Sequence, residues 1–166
     1  MSWNAKKIAE AAAMVALSAL LHVIKIYHLP QGGSVTAGSM VPILFLSIRR
    51  GPALGAVAGA AFGMIQYFLD PFFVHPVQLL LDYPMAMASL GLAGFFKKRP
   101  IGGVTVALVA RFLCHFVSGV VFFASYAPKG SNVLAYSAVY NASYILPELV
   151  ISAIIVSVLA GKVKLD

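Results

Sequence analysis

Two apolar runs, residues 102–126 and 134–160, are parted only by a turn at Pro128-Lys129-Gly130. Each is long enough to cross a bilayer, which takes about 20 helical residues. Neither is purely apolar: the first carries Arg111, Cys114 and His115, the second Tyr136, Tyr140, Asn141, Tyr144 and Glu148. Ionisable groups at membrane depth are costly and turn toward partners or a wet cavity. The hairpin therefore reads as one wall of a binding site inside a membrane protein.

Spacing sharpens that reading. On a helix, Arg111, His115, Ser118, Phe122 and Tyr126 share one face, as do Asn141, Tyr144 and Glu148. With a rise of about 1.5 Å per residue, Arg111 and Glu148 lie roughly 24 and 21 Å from the turn, deep enough to meet as a structural ion pair. Nearer the turn, His115, Phe123, Tyr136 and Asn141 form an aromatic, hydrogen-bonding pocket.

Composition agrees. Of 166 residues, 61% are hydrophobic and 10% charged, against about 25% charged in soluble domains. The net charge of +7 suggests nucleic acid only until the basic residues are placed. They sit at the ends of apolar runs, as the positive-inside rule requires, so nucleic acid is excluded as a partner and the lipid bilayer takes its place. The single cysteine, Cys114, excludes an intrachain disulfide framework.

The chain divides into six expected helices in one domain, 1–166. Helix 1 (5–26) opens with Lys6-Lys7, which imitates a secretory signal, but Glu10 interrupts the run and an uncleaved helix is expected. Its alanines are spaced by four (5, 9, 13; 12, 16), a pattern that lets another helix approach closely, either within the bundle or on a partner subunit. Residues 28–38, with Pro30 and Gly32-Gly33, break the helix and form an exposed turn or a lid over the pocket. Helix 2 (39–49) is short and ends at Arg49-Arg50-Gly51. Helix 3 (52–69) carries Gly55, Gly59 and Gly63. Helix 4 (75–96) holds Gln78, Asp82 and Tyr83 and ends at Lys97-Lys98-Arg99. Helices 5 and 6 are the hairpin above. Six crossings bring Lys6-Lys7, Arg49-Arg50, Lys97-Lys98-Arg99 and Lys162/Lys164 to one side, which puts both termini in the cytoplasm and opens the pocket outward.

Several chemistries are missing. Gly32-Gly33 lacks the Lys and Ser/Thr of a phosphate loop, so the chain does not use ATP by itself. The four histidines lack metal-ligand spacing, and adjacent Cys114 and His115 diverge on a helix. No metal, cofactor or catalytic residue is expected. What remains is recognition. Asp82, a lone carboxylate at membrane depth, suits an ion pair, a proton site or a counter-ion for a cationic ligand, and aromatic faces attract cations.

The stretches Pro30-Gln-Gly-Gly-Ser-Val, Pro42 through Arg49-Arg50-Gly51, Leu81-Asp-Tyr-Pro84, Arg111-Phe-Leu-Cys-His115-Phe, Phe122-Phe-Ala-Ser-Tyr-Ala-Pro128 and Tyr136-Ser-Ala-Val-Tyr-Asn141 together resemble the thiamine-specific substrate-binding subunits (S-components) of energy-coupling-factor (ECF) vitamin transporters, over nearly the whole chain. The resemblance implies an all-α bundle of six transmembrane helices in a bacterial cell membrane, with an outward pocket under the loop between helices 1 and 2. It implies thiamine as ligand, a membrane-embedded coupling subunit docked on Ala12 and Ala16, and two cytoplasmic ATPases. The substrate-binding residues it implies are Asp82, Tyr83, His115, Phe123, Tyr126, Tyr136 and Asn141, with Gly33 and Ser34 in the loop. Some members carry Glu in place of Asp82, Trp in place of Phe123 and a loop Trp near Gly33, so this chain has less stacking surface. The alternatives are an S-component for another vitamin or a thiamine precursor, a stand-alone proton-coupled carrier using Asp82 and Glu148, and a membrane enzyme built on His115.

Overall fold

A computed structural model describes residues 3–162; Lys164, assigned above to the last basic cluster, lies outside the described residues. Helix α1 (Ala5–Val23) is started by Asn4, whose side chain accepts from the Lys7 amide at 3.0 Å. It leads into two antiparallel strands, β1 (Lys25–His28) and β2 (Ser34–Thr36). Helices α2 (Val41–Arg50) and α3 (Pro52–Leu69) follow, then α4 (Pro76–Leu80), α5 (Pro100–Phe122) and α6 (Val133–Lys162).

Two expectations are corrected. The loop expected over 28–38 is present but begins and ends in a short strand pair, at His28 and Ser34–Thr36, and helix 1 stops at Val23 so that Lys25 can pair with Thr36. Helix 4 is not one helix either. After α4 come a π-helical turn over Leu81–Met85, one α turn over Ala86–Ala88 and a 3₁₀ segment over Ser89–Phe95. Pro84 sits inside the π turn, where its missing N–H and its ring break the ordinary i→i−4 ladder.

The broken rod is pressed against α3 through glycines. A Cβ on Gly63 would collide with the Tyr83 carbonyl oxygen, and one on Gly59 with that of Met87. Gly91 and Gly94 return the contact, lying against the backbone of Ala56 and Pro52. Small residues at such rows let helix backbones touch. Gly59→Leu is expected to force this crossing open at a cost of about 3 kcal/mol, because overpacking against backbone has no flexible side chain to displace. Thermal unfolding of the purified protein checks it, with Val57→Leu on the exposed side of α3 unchanged.

The core lies around α2, whose residues 41–48 are all buried. Many of the exposed large side chains are aliphatic or Phe, among them Leu20, Val23, Phe68, Phe95, Val139 and Ile154, as expected of a surface facing lipid tails. The helices α3, α5 and α6 are long and apolar enough to cross a membrane. Helix α2, with ten residues, spans only about 15 Å. At one end Glu10, the residue that interrupts the first apolar run, pairs with Arg49 at 3.2 Å and Arg50 at 2.7 Å. Lys97, Lys98 and the end of α6 meet around one groove. Gly51 abuts Gly94, which brings that groove to the same end. At the opposite end Lys25 pairs closely with Asp70.

Candidate ligand-binding cavity

The hairpin, α3, the π turn, α5 and α6 enclose a cavity of roughly 870 Å³, open solvent at its mouth included. Asp82 stands in its wall because the π turn carries it there. It is not the lone carboxylate expected from the sequence. Gln78 Nε2, one turn earlier, donates to Oδ2 at 2.9 Å, Ser118 Oγ donates to the same oxygen at 2.8 Å, and His115 Nδ1 lies 3.1 Å from Oδ1. A carboxylate has about four acceptor positions, so one remains for a donor entering the cavity. His115 Nε2 is buried and has no hydrogen-bond partner among the described residues.

Tyr83, Phe123, Tyr126, Tyr136, Asn141, Gly33 and Ser34 also line the cavity. Two of these have polar groups already committed. The Tyr83 hydroxyl accepts from the Phe72 amide at 2.9 Å and donates to the Asp70 carbonyl at 3.0 Å, so what it offers inward is its ring. The Asn141 amide donates to the Ser137 carbonyl at 2.9 Å and accepts from the Tyr144 hydroxyl at 2.7 Å. Phe123 packs against Phe72 and Tyr126, with ring centroids 5.6 and 5.9 Å away.

The tyrosines of α6 form a ladder along one side of the cavity. Tyr136 stacks on Tyr140, whose ring meets Tyr144 edge-on. The Tyr140 hydroxyl accepts from the Gly33 amide at 3.2 Å, which ties the hairpin to α6. A Cβ at Gly33 would come within 2.7 Å of the Tyr144 ring, so only glycine lets the hairpin settle this low. The hairpin thus covers part of the cavity, and its fit to the tyrosines is tight.

Sequence reasoning missed His22 and Gln66. They are 7% and 6% exposed, lie 3.1 Å apart at Nδ1 and Nε2, and both line the cavity. The signal was present: each is a polar residue inside an otherwise apolar helix.

The expected ion pair between Arg111 and Glu148 is not formed. Glu148 Oε1 instead accepts from the Thr36 amide at 2.6 Å and from Thr36 Oγ1 at 2.7 Å, while Arg111 Nη1 donates to Met40 Sδ at 2.9 Å. The hairpin delivers two donors to the carboxylate, a partner that helix spacing alone could not reveal. Glu148 also lies outside the cavity wall, which removes one of the two carboxylates that a proton-coupled carrier was expected to use. Ala12 and Ala16, like Ala5, Ala9 and Ala13, are exposed; the bundle does not cover them, so the intrachain reading of that stripe is set aside.

A profile of the thiamine transporter protein family (Thia_YuaJ) matches residues 8–165. The chain belongs to that family. Family membership makes it a transport protein, not an enzyme. The thiamine transporter ThiT of Bacillus subtilis (strain 168) is 36% identical over 172 residues, covering 92% of this chain and 89% of the relative. ThiT of Lacticaseibacillus paracasei is 33% identical over 140 residues, with 72% and 70% covered. Among solved structures, ThiT from Listeria monocytogenes superposes with a TM-score of 0.84 at 25% identity, covering 94% of this chain and 93% of the other. The S component of a bacterial ECF transporter shares the fold, with a TM-score of 0.55 at 18% identity and coverage of 95% and 92%.

Proposed function

We propose that this chain is the thiamine-capturing S-component of an ECF-type uptake system. It crosses the membrane six times as a single domain, with both termini in the cytoplasm. The observation that carries the reading is Asp82, a carboxylate braced by three donors with one acceptor position left, in a cavity walled by aromatic rings. Such a wall suits a flat, cationic, donor-bearing ring compound. Tyr83, Phe123, Tyr126 and Tyr136 supply ring faces, His115 orients the carboxylate, and Gly33 and Ser34 close over the ligand. Asn141 holds the tyrosine ladder in place. The basic clusters gathered at one end of the bundle support the cytoplasmic placement of that end. A coupling subunit and two cytoplasmic ATPases complete the transporter, with Ala12 and Ala16 as the docking face.

Calorimetry of the purified protein with thiamine tests the reading. Tight one-to-one binding is expected; absence of binding overturns it. Gly33→Ala should lift the hairpin off Tyr144 and weaken binding about tenfold, equivalent to about 1.4 kcal/mol, read by the same titration.

A further inference from the structure

Glu148 and Arg111 form an unusual pair of buried charges. Glu148 is 1% exposed and Arg111 8%. They lie on the packed helices α5 and α6, and the guanidinium carbon sits 5.9 Å from the centre of the Tyr144 ring, one turn from Glu148. Yet each keeps an atom with no hydrogen-bond partner among the described residues, Oε2 on Glu148 and Nε on Arg111. Arg111 Nη1 instead donates to the thioether of Met40, a weak acceptor. Glu148 is held by Thr36, the last residue of β2 and itself 2% exposed.

Buried opposite charges are cheapest when they meet with good geometry, and costly when one lacks its partner. Here the better partner for each is the other, yet with the hairpin seated Thr36 holds one carboxylate oxygen of Glu148 and Arg111 turns to Met40. We propose that Glu148 is a positioning residue for ligand capture that changes partner. With the hairpin seated, Glu148 fastens it through Thr36. When the hairpin lifts, Glu148 turns to Arg111, and that ion pair stabilises the open cavity.

The two arrangements are discrete, so the lid has two defined positions rather than a continuum. The other ties of the hairpin, Gly33 to Tyr140 and Lys25 to Asp70, hold it from its tip and its outer edge. Thr36 is the tie at its inner end. This inference rests on the proposed ligand reading only for its kinetic arm.

The test uses variants of the full chain with opposite expected signs. Thr36→Val removes the hydroxyl donor and weakens the seated state; thiamine release should be about tenfold faster, since a hydrogen bond to a charged group is worth about 1.5–3 kcal/mol. Arg111→Met leaves the Thr36–Glu148 contact in place and removes the cation that Glu148 needs in the open state. Association and release should both slow, by about tenfold for one charge-assisted contact of that size. Thr36→Ser, which keeps both donors, should behave as the natural chain. If Thr36→Val and Arg111→Met shift release in the same direction, or neither shifts it, the partner change is wrong and these residues only stabilise the fold.

A second measurement needs no ligand. Spin labels at Tyr27→Cys in the exposed part of β1 and Ser131→Cys in the α5–α6 turn, on a Cys114→Ser background, report the hairpin distance. Thr36→Val should add a longer-distance population and Arg111→Met should remove it; unchanged distributions overturn the proposal. Failure of thiamine to bind, with these distance shifts intact, would overturn the ligand reading and leave this one standing.

Discussion

Replacing Asp82 with Ala is expected to weaken thiamine binding by about 2–5 kcal/mol, roughly thirtyfold to several thousandfold, as when one partner of a desolvated charge contact is truncated. The size follows from where the carboxylate stands. It lies in the cavity wall, its side chain only 15% exposed, where an attraction is much less screened than in water. Its three donors hold it in one orientation, so little is lost in ordering it when ligand arrives. The fold should survive, because Gln78, Ser118 and His115 would face an open cavity that water can enter. Asp82→Asn separates charge from shape: it keeps the size and an acceptor oxygen, and should still lose most of the affinity. Calorimetry supplies the affinities and thermal unfolding the control. Affinity within about twofold of the natural chain, under 0.5 kcal/mol, would remove Asp82 from the site.

Enlarging Ala12 and Ala16 together to Leu should stop uptake while leaving calorimetric binding unchanged. Both side chains are exposed on α1, whereas Ala11, Ser18 and His22 take its buried side. Exposed alanines spaced by four form a shallow groove in which another helix can sit closely. Two leucines would fill that groove without touching the cavity. Uptake by membrane vesicles or cells expressing the chain with its coupling module should fall to background. Normal uptake would place the docking face elsewhere.

Much of the helical frame was legible because its stops are chemical. Helix α3 runs over the expected 52–69, bounded by Gly51-Pro52 on one side and Asp70-Pro71 on the other. The α5–α6 hairpin was equally plain from its apolar length. What the pattern hid were features made by distant pairing. Residues 25–36 carry no clear alternation, and the strands exist because Lys25 and Thr36 are brought together over the tyrosine ladder. The π turn was hidden for another reason. Pro84 and the glycines of α3 both announced irregularity, but only the packed backbone shows that Tyr83 and Met87 carbonyls fill the glycine notches.

The site was legible in its residue types and less so in its bonding. Helix spacing brought Arg111 and Glu148 to one depth, and could not see that Thr36, more than a hundred residues away in sequence, takes the carboxylate first. Likewise it put Asp82 in the pocket but left it lone, although Gln78 sits one turn before it. Asn141 and Tyr83 were expected among the ligand-binding residues; both have their polar groups engaged by neighbours.

The most direct test is a structure of the purified chain with thiamine bound. The ligand is expected between the hairpin and the tyrosines of α6, with one of its donor or cationic atoms at the remaining acceptor position of Asp82. A ligand seated away from Asp82, with that carboxylate still engaged only by Gln78, His115 and Ser118, would contradict it.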